Sequence, residues 1–299
     1  MTFSEFSLSK ELRASVQRMG FEQPTPIQQA AIPHALQGRD LLASAETGSG
    51  KTAAFLLPIM NRLLPMQRGA TRALVLAPTR ELAAQIAAHF TELARGTSLT
   101  CAAVYGGVGM GSQERAFRKG VDLIVACPGR LLDHLRGPHV DFSSLQCLVL
   151  DEADRMLDMG FLPDIQRVLA AIPSNRQTLL FSATMPPAIV ELSGRLLRNA
   201  VKIDIDRKPA PVKGLSHAVY PVPSDRKPGL LLQLLGERIS GSVLVFTRTK
   251  HRANRLAEFL SKNGVRCDRI HGNRSQSQRT SALDGFCGTA DCSVAIAAA

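Results

Sequence analysis

Nearly unbroken apolar runs recur along this chain, each followed by an amphipathic stretch, and that alternation decides what it can fold into. The runs are "DLLASA" (40–45), "ALVLAP" (73–78), "CAAVYGG" (101–107), "DLIVAC" (122–127), "CLVLDE" (147–152) and "TLLFSAT" (178–184). A strand that is apolar at successive positions has to be covered on both faces, whereas a strand with one wet face alternates. Between the runs, stretches such as "ELAAQIAAHFTELAR" and "RLLDHLRG" repeat their apolar residues at helical spacing. Strands separated by helices imply an α/β fold with a parallel sheet covered on both faces.

The alternation breaks at "DIDRKPAPVKGLSHAVYPVPSDRKPG" (204–229), rich in proline and charge, which reads as a linker followed by the first strand of a second unit. It resumes with a strand at "SVLVF" (242–246), a helix over about 250–262, a strand at "VRCDRIH" (265–271), a helix over about 275–286 and a final strand at "CSVAIA". The expected organisation is a first domain over 1–206, a linker over 207–216 and a partial second domain over 217–299. Three strands are few for a sheet of this class, and the last is expected to end bare.

Charge narrows the partner. The chain has 299 residues with 36 Lys+Arg against 25 Asp+Glu, a formal net charge of +11. Nine basic and four acidic residues fall within 241–299, so the excess is concentrated there. Such a balance favours a polyanion, although a solvated basic face would look the same in composition alone. The six cysteines are scattered without a C-x-x-C pair, which argues against zinc and disulfide frameworks. No apolar run reaches the ~20 residues that cross a bilayer, and "MTFSEFSLSK" lacks an export pattern. The expected compartment is the cytoplasm, with no membrane partner.

"AETGSGKT" (45–52) lies between an apolar strand and a helix. Glycines there let successive backbone N–H groups converge on one point, and the helix N-terminus adds positive dipole. Lys51 can then reach outer phosphates and the Thr52 hydroxyl can face Mg²⁺. A strict P-loop begins with Gly where this chain has Ala45. The bland reading is a Gly-Ser turn beside a chance lysine. In "LVLDEAD" (148–154), Asp151 directly follows a strand and can hold the ion through water, with Glu152 placed to polarise an attacking water. Acidic residues in a first helical turn also have a dipole reason of their own.

With these motifs in order, the chain resembles the DEAD-box ATP-dependent RNA helicases, of bacterial type, over essentially its whole length. The resemblance implies a RecA-like P-loop domain followed by an incomplete second RecA-like domain, with ATP and Mg²⁺ as cofactors and RNA as partner. It spreads the nucleotide site over Ala45, Glu46, Thr47, Gly48, Ser49, Gly50, Lys51 and Thr52, with Lys51, Asp151 and Glu152 catalytic, and Thr52 and Asp151 on the metal. "GFEQPTPIQ" (20–28) is similar to the family's adenine-reading motif: Gln28 would bond the base, Phe21 and Phe3 would pack near it, and Thr25 would support the loop. Thr25, Pro26 and Gln28 equally spell a capping box with Pro at the first helical position.

Further matches imply RNA contacts at Pro78, Thr79 and Arg80, at Gly106 and Gly107, and at Pro128, Gly129 and Arg130. Those residues suit a sugar–phosphate backbone, which takes donors rather than base readers. Cys127 stands where the family usually has Thr. "SAT" (182–184) resembles the motif linking nucleotide state to RNA grip, so Asp154, Ser182 and Thr184 are expected to couple the two. In the second unit, "VFTRTK" and "HGNRSQSQR" imply RNA contacts at Thr247, Arg248, Gln276 and Arg279, while Ser275 with Gln278 also forms a plausible capping box.

The family pattern would next carry a Thr-Asp pair and an arginine-rich helix, where this chain has Ala298 and Ala299. The expectation is a chain cut within the second unit, or the product of a damaged gene, lacking arginines that are worth roughly 10³–10⁵ in rate in such enzymes. Two functions therefore stand side by side: RNA-dependent ATPase and helicase of a monomeric chain, or a nucleotide- and RNA-binding fragment with little turnover. A DNA-directed helicase or another P-loop ATPase is a third.

Overall fold

The computed structural model describes residues 2–205, 216–237, 241–287 and 293–298. Contacts divide the chain into two units, Met1–Lys208 and Pro209–Ala299. The expected linker, 207–216, lies outside the described residues but for Ser216.

The first unit carries strands β1 (Leu41–Ser44), β2 (Ala73–Leu76), β3 (Cys101–Val104), β4 (Leu123–Ala126), β5 (Cys147–Leu150), β6 (Gln177–Ser182) and β7 (Val201–Asp204). They form one sheet in the order β3-β4-β2-β5-β6-β1-β7, every pair parallel. Its helices are α1 (Lys10–Arg18), α2 (Pro26–Leu36), α3 (Lys51–Leu63), α4 (Arg80–Leu93), α5 (Met110–Lys119), α6 (Pro128–Leu135), α7 (Ala153–Asp158), α8 (Leu162–Ala170) and α9 (Pro187–Leu196). Successive residues of one strand serve opposite faces. Ala73 and Val75 of β2 join a core with α1–α4, whereas Leu74 and Leu76 join a second core with α5–α9. This is why β2, β4, β5 and β6 are buried at every position and read as unbroken apolar runs, while the edge strands β3 and β7 are partly exposed. The β7 strand and α1 were not predicted from sequence: β7 alternates Val-Lys-Ile-Asp as an edge strand does, and α1 is mostly polar apart from Leu12 and Val16.

The second unit holds α10 (Lys227–Glu237), β8 (Val243–Thr247), α11 (Lys250–Lys262), β9 (Cys267–Ile270), α12 (Gln276–Cys287) and β10 (Val294–Ala298). One expectation is corrected here. No strand forms between 216 and 223: Val219 is 91% exposed and finds no sheet edge, while Pro221 and Pro223 lack the N–H a ladder needs. The final strand is paired on both sides. β10 is the middle of a three-stranded parallel sheet, with Val294 opposite Val243 on one side and Cys267 on the other. Both neighbours precede it in sequence, so order along the chain concealed its central place. Among the described residues, no helix is long and apolar enough to cross a membrane.

Candidate functional site

The chain leaves β1 and closes into a tight loop before α3. Gly48 and Gly50 take left-handed backbone, φ 85° and 96°. A Cβ at Gly50 would come within 2.6 Å of Gln28 Nε2 and 2.9 Å of Thr25 Oγ1, so this close approach requires glycine as well as tolerating it. Gln28 uses the space to donate its amide to the Gly50 carbonyl at 3.0 Å. Its Oε1 accepts the Thr25 N–H at 2.9 Å, completing a capping box in which the Thr25 hydroxyl makes no full hydrogen bond. The capping box expected of Thr25 and Gln28 thus forms, and the same amide also ties α2 to the glycine loop.

Lys51 is buried at the first turn of α3, its ammonium donating to the Ala45 carbonyl at 3.0 Å. Asp151 follows β5 across the sheet's C-terminal edge. Burial pushes its carboxyl up to about 6, opposed by the nearby Lys51 charge. Glu152 occupies left-handed backbone, φ 50° and ψ 51°, uncommon for a residue with a side chain. Its N–H donates to Asp151 Oδ1 at 3.0 Å; its carboxylate receives the Thr47 hydroxyl at 3.3 Å and pairs with Arg155 at 3.1 Å. A cavity of about 410 Å³ is lined by Phe21, Thr25, Gln28, the loop residues Thr47, Gly48 and Gly50, and Lys51, Thr52, Asp151 and Glu152.

Phe3, Ala45, Glu46 and Ser49 are not on that wall. Phe3 stands behind Phe21, the two rings stacked at 6.1 Å. Ala45 anchors the loop, donating its N–H to the Ser182 carbonyl, and Glu46 accepts both Ser49 groups through its own carbonyl. Sequence reading missed the far wall, where Leu82, Gln85, His89 and Leu93 of α4 face the cavity. Their spacing of three and four is that of one helix face, the available signal. The residues present fit a triphosphate: an ammonium, a glycine-built cradle at a helix start, and buried acidic groups opposite.

Asp154 is bound into a tight cluster. Its carboxylate receives the Thr184 N–H at 2.8 Å and the Thr184 hydroxyl at 2.7 Å. Its N–H donates to Ser182 Oγ at 3.2 Å, and that hydroxyl donates to the Thr184 carbonyl at 2.7 Å. Burial disfavours the Asp154 charge, but the Thr184 bonds outweigh it and hold the carboxyl below the usual range.

The expected RNA-facing residues of the first unit gather at the ends of β2, β3 and β4. Thr79 caps α4, its hydroxyl accepting the Leu82 N–H at 3.2 Å. The Arg80 guanidinium lies over the Gly106–Gly107 turn: a Cβ at Gly107, where φ is 84°, would fall 2.1 Å from Arg80 Nη1. Arg130 approaches the same turn, 3.7 Å from a Cβ at Gly106. Pro128 opens α6 and Gly129 follows it. Pro78 precedes the Thr79 cap. Cys127 is the cap residue of α6 but offers no side-chain bond, and burial pushes its thiol up to about 12.

In the second unit, the Thr247 hydroxyl donates to the carbonyls of Thr249 and Ala297 at 3.2 and 3.4 Å. Arg248 lines a separate cavity with Arg252 and Arg255. Gln276 is buried at the start of α12, with Arg279 one turn on. The Ser275–Gln278 capping box forms in both halves, at 3.1 and 3.3 Å.

A sequence profile described as DEAD/DEAH box helicase matches residues 25–192, and one described as helicase conserved C-terminal domain matches 226–299. The chain belongs to the DEAD/DEAH box helicase family. It is 41% identical to the probable ATP-dependent RNA helicase ddx27 of Dictyostelium discoideum, over 95% of this chain and 37% of that protein. It is 38% identical to the DEAD-box ATP-dependent RNA helicase CshA of Bacillus subtilis, over 96% of this chain and 58% of that protein. The chain therefore spans roughly a third to three fifths of the length of these relatives. The structure of S. cerevisiae Dbp5 bound to RNA and ADP BeF3 superposes with a TM-score of 0.87 at 29% identity, covering 99% of this chain and 75% of that one.

Proposed function

We propose that this chain is an RNA-dependent ATPase that couples ATP hydrolysis to local opening or remodelling of RNA duplexes. One observation carries the reading: Gln28, Gly48, Gly50, Lys51, Thr52, Asp151 and Glu152 all face a single cavity. Gln28, fixed by Thr25 and Gly50, presents its amide to the adenine, beside Phe21, with Phe3 holding that ring from behind. The backbone of 46–50 wraps the phosphates, and Lys51 exchanges the Ala45 carbonyl for the outer phosphate oxygens.

Among the described residues no cluster of three or more His, Cys, Asp or Glu could hold a metal ion by itself. A Mg²⁺ arriving with the nucleotide would instead rest on the Thr52 hydroxyl and, through water, on Asp151, neutralising phosphate charge. A carboxyl whose pKa burial has raised gains by having a cation beside it. Glu152, held by Thr47 and its own backbone, positions the attacking water. Binding without turnover is not favoured, because this water-positioning group shares the cavity.

RNA binding rests on backbone contacts by Pro78, Thr79, Arg80, Gly106, Gly107 and Pro128–Arg130 in the first unit, and by Thr247, Arg248, Gln276 and Arg279 in the second. The Asp154–Ser182–Thr184 cluster joins the strand that carries the acidic pair to the strand beside the phosphate loop. It is the element that couples nucleotide state to RNA grip. The chain works as a monomer in the cytoplasm, a compartment that suits the five free thiols of the described residues. The test is phosphate release from the 299-residue chain with RNA, with DNA of the same sequence, and with neither. Stimulation by RNA alone is expected; equal rates in all three would overturn the reading.

A further inference from the structure

Behind the RNA-facing edge of the first unit lies a buried polar chain that neither the sequence motifs nor the nucleotide site uses. His134, on α6, is 0% exposed. Its Nε2 is 3.1 Å from Gln113 Oε1 and its Nδ1 is 3.0 Å from His139 Nε2. Gln113, on α5, donates its amide to the carbonyls of Tyr105 at 3.2 Å and Gly109 at 3.4 Å. Phe117 closes the cluster, its ring centre 5.2 Å from His134 and 5.9 Å from His139.

The hydrogen-bond inventory fixes the proton positions. The Gln113 NH₂ faces two carbonyls, so its oxygen faces His134 and the proton there belongs to His134 Nε2. A neutral His134 then has a bare Nδ1, which accepts from His139 Nε2–H. A second proton on His134 places two donors face to face unless a neutral His139 moves its own proton to Nδ1, so release follows when His139 keeps its Nε2 proton. Burial, His139 and Arg130 all disfavour that proton, against weaker pulls from Glu114 and Asp133.

The chain of bonds spans the two elements on which RNA contact depends. Gln113 holds both ends of the turn 105–109, which contains Gly106 and Gly107. His134 sits on the helix that carries Arg130. We propose that Gln113, His134 and His139 form a clamp that fixes the Gly106–Gly107 turn against α6, making His134 a positioning residue for the RNA-facing edge and its protonation the release. This rests on the RNA-binding reading above.

Because the fold depresses the His134 pKa, the clamp is intact at and above the ordinary value near 6.5 and is lost only as pH falls through the lowered value. Two variants separate clamp from bulk. His134→Gln keeps an amide N–H for Gln113 Oε1 and an oxygen for His139, with no titration. His134→Phe keeps the packing on Phe117 and strands the Gln113 oxygen.

Two readouts are taken on the full chain: amide hydrogen exchange at 105–109, and anisotropy of a labelled single-stranded RNA from pH 7.5 to 5.5. Binding of a fluorescent ATP analogue reports that each variant is folded. His134→Phe is expected to speed exchange in the turn and weaken RNA about tenfold at pH 7.5, the size of one unsatisfied buried hydrogen bond. His134→Gln is expected to match the unmodified chain at pH 7.5 and to lack the additional loss of RNA affinity that the unmodified chain shows as pH falls through the lowered His134 value. Unchanged exchange in His134→Phe, or superimposable pH profiles for His134→Gln and the unmodified chain, would overturn the proposal. If the unmodified chain binds no RNA while exchange still responds, the clamp stands and the RNA reading falls.

Discussion

Glu152 holds a backbone conformation that its own side chain disfavours, with φ 50°. Left-handed geometry at a residue with a Cβ costs of order 1 kcal/mol and persists where the surroundings impose it. Here they do so through the Asp151 and Thr47 bonds, which aim the carboxylate into the cavity. Glu152→Gln keeps the shape and removes the charge proposed to polarise water. ATP analogue binding should be unchanged while RNA-stimulated hydrolysis falls by about 10²–10⁴, the usual contribution of a positioned base. Persistent hydrolysis would mean that another group orients the water. Gly50→Ala makes the complementary test: its methyl would invade the Gln28 amide at 2.6 Å. Affinity for ATP and its advantage over GTP, measured by analogue displacement, should both drop.

At the scale of elements, α6 begins on Cys127 with extended backbone, φ −81° and ψ 134°, suited to a cap that the thiol does not make. Cys127→Thr supplies an oxygen for the Arg130 N–H and should stabilise the first unit by about 1 kcal/mol. That corresponds to about 2–4 °C in the Tm of a unit this size, read by calorimetry. Asp154→Ala removes the carboxylate that receives both Thr184 groups. It should leave ATP analogue affinity near normal and reduce the stimulation of hydrolysis by RNA; full stimulation would show that β5 and β6 communicate by another route.

The strands of the first sheet were legible because burial on both faces leaves an unbroken apolar run, the signature that β2, β4, β5 and β6 carry. The edge strand β7 was not, since half its residues are wet. Nor was the central place of β10, because pairing across a parallel sheet depends on crossovers that leave no local trace. Lys51, Asp151 and Glu152 could be read from loop and strand-end position. The α4 wall of the cavity offered only its one-face spacing, as Gln85 and His89 are ordinary residues that packing alone turns towards the site. The Gln113–His134–His139 chain was hidden for the same reason: its members are brought together by helices, not by spacing.

For the whole molecule, the net charge of +11 favours a polyanion, and on the proposed reading the number of basic groups on phosphates sets the response of RNA binding to salt. With Arg80, Arg130, Arg248 and Arg279 on phosphates, four contacts at about 0.7 each give a slope near −3 in log affinity against log salt. A slope near zero would remove the backbone-contact account. The proposed nucleotide site is the point of the first unit where the sheet edge, the glycine loop and the acidic pair converge. The most direct measurement is titration of a fluorescent ATP analogue into the chain and into its Lys51→Ala variant, with ATP, GTP and CTP as competitors. Saturable binding displaced best by ATP, and abolished in the variant, is the predicted result. Binding that survives Lys51→Ala, or that all three nucleotides displace equally, would contradict it.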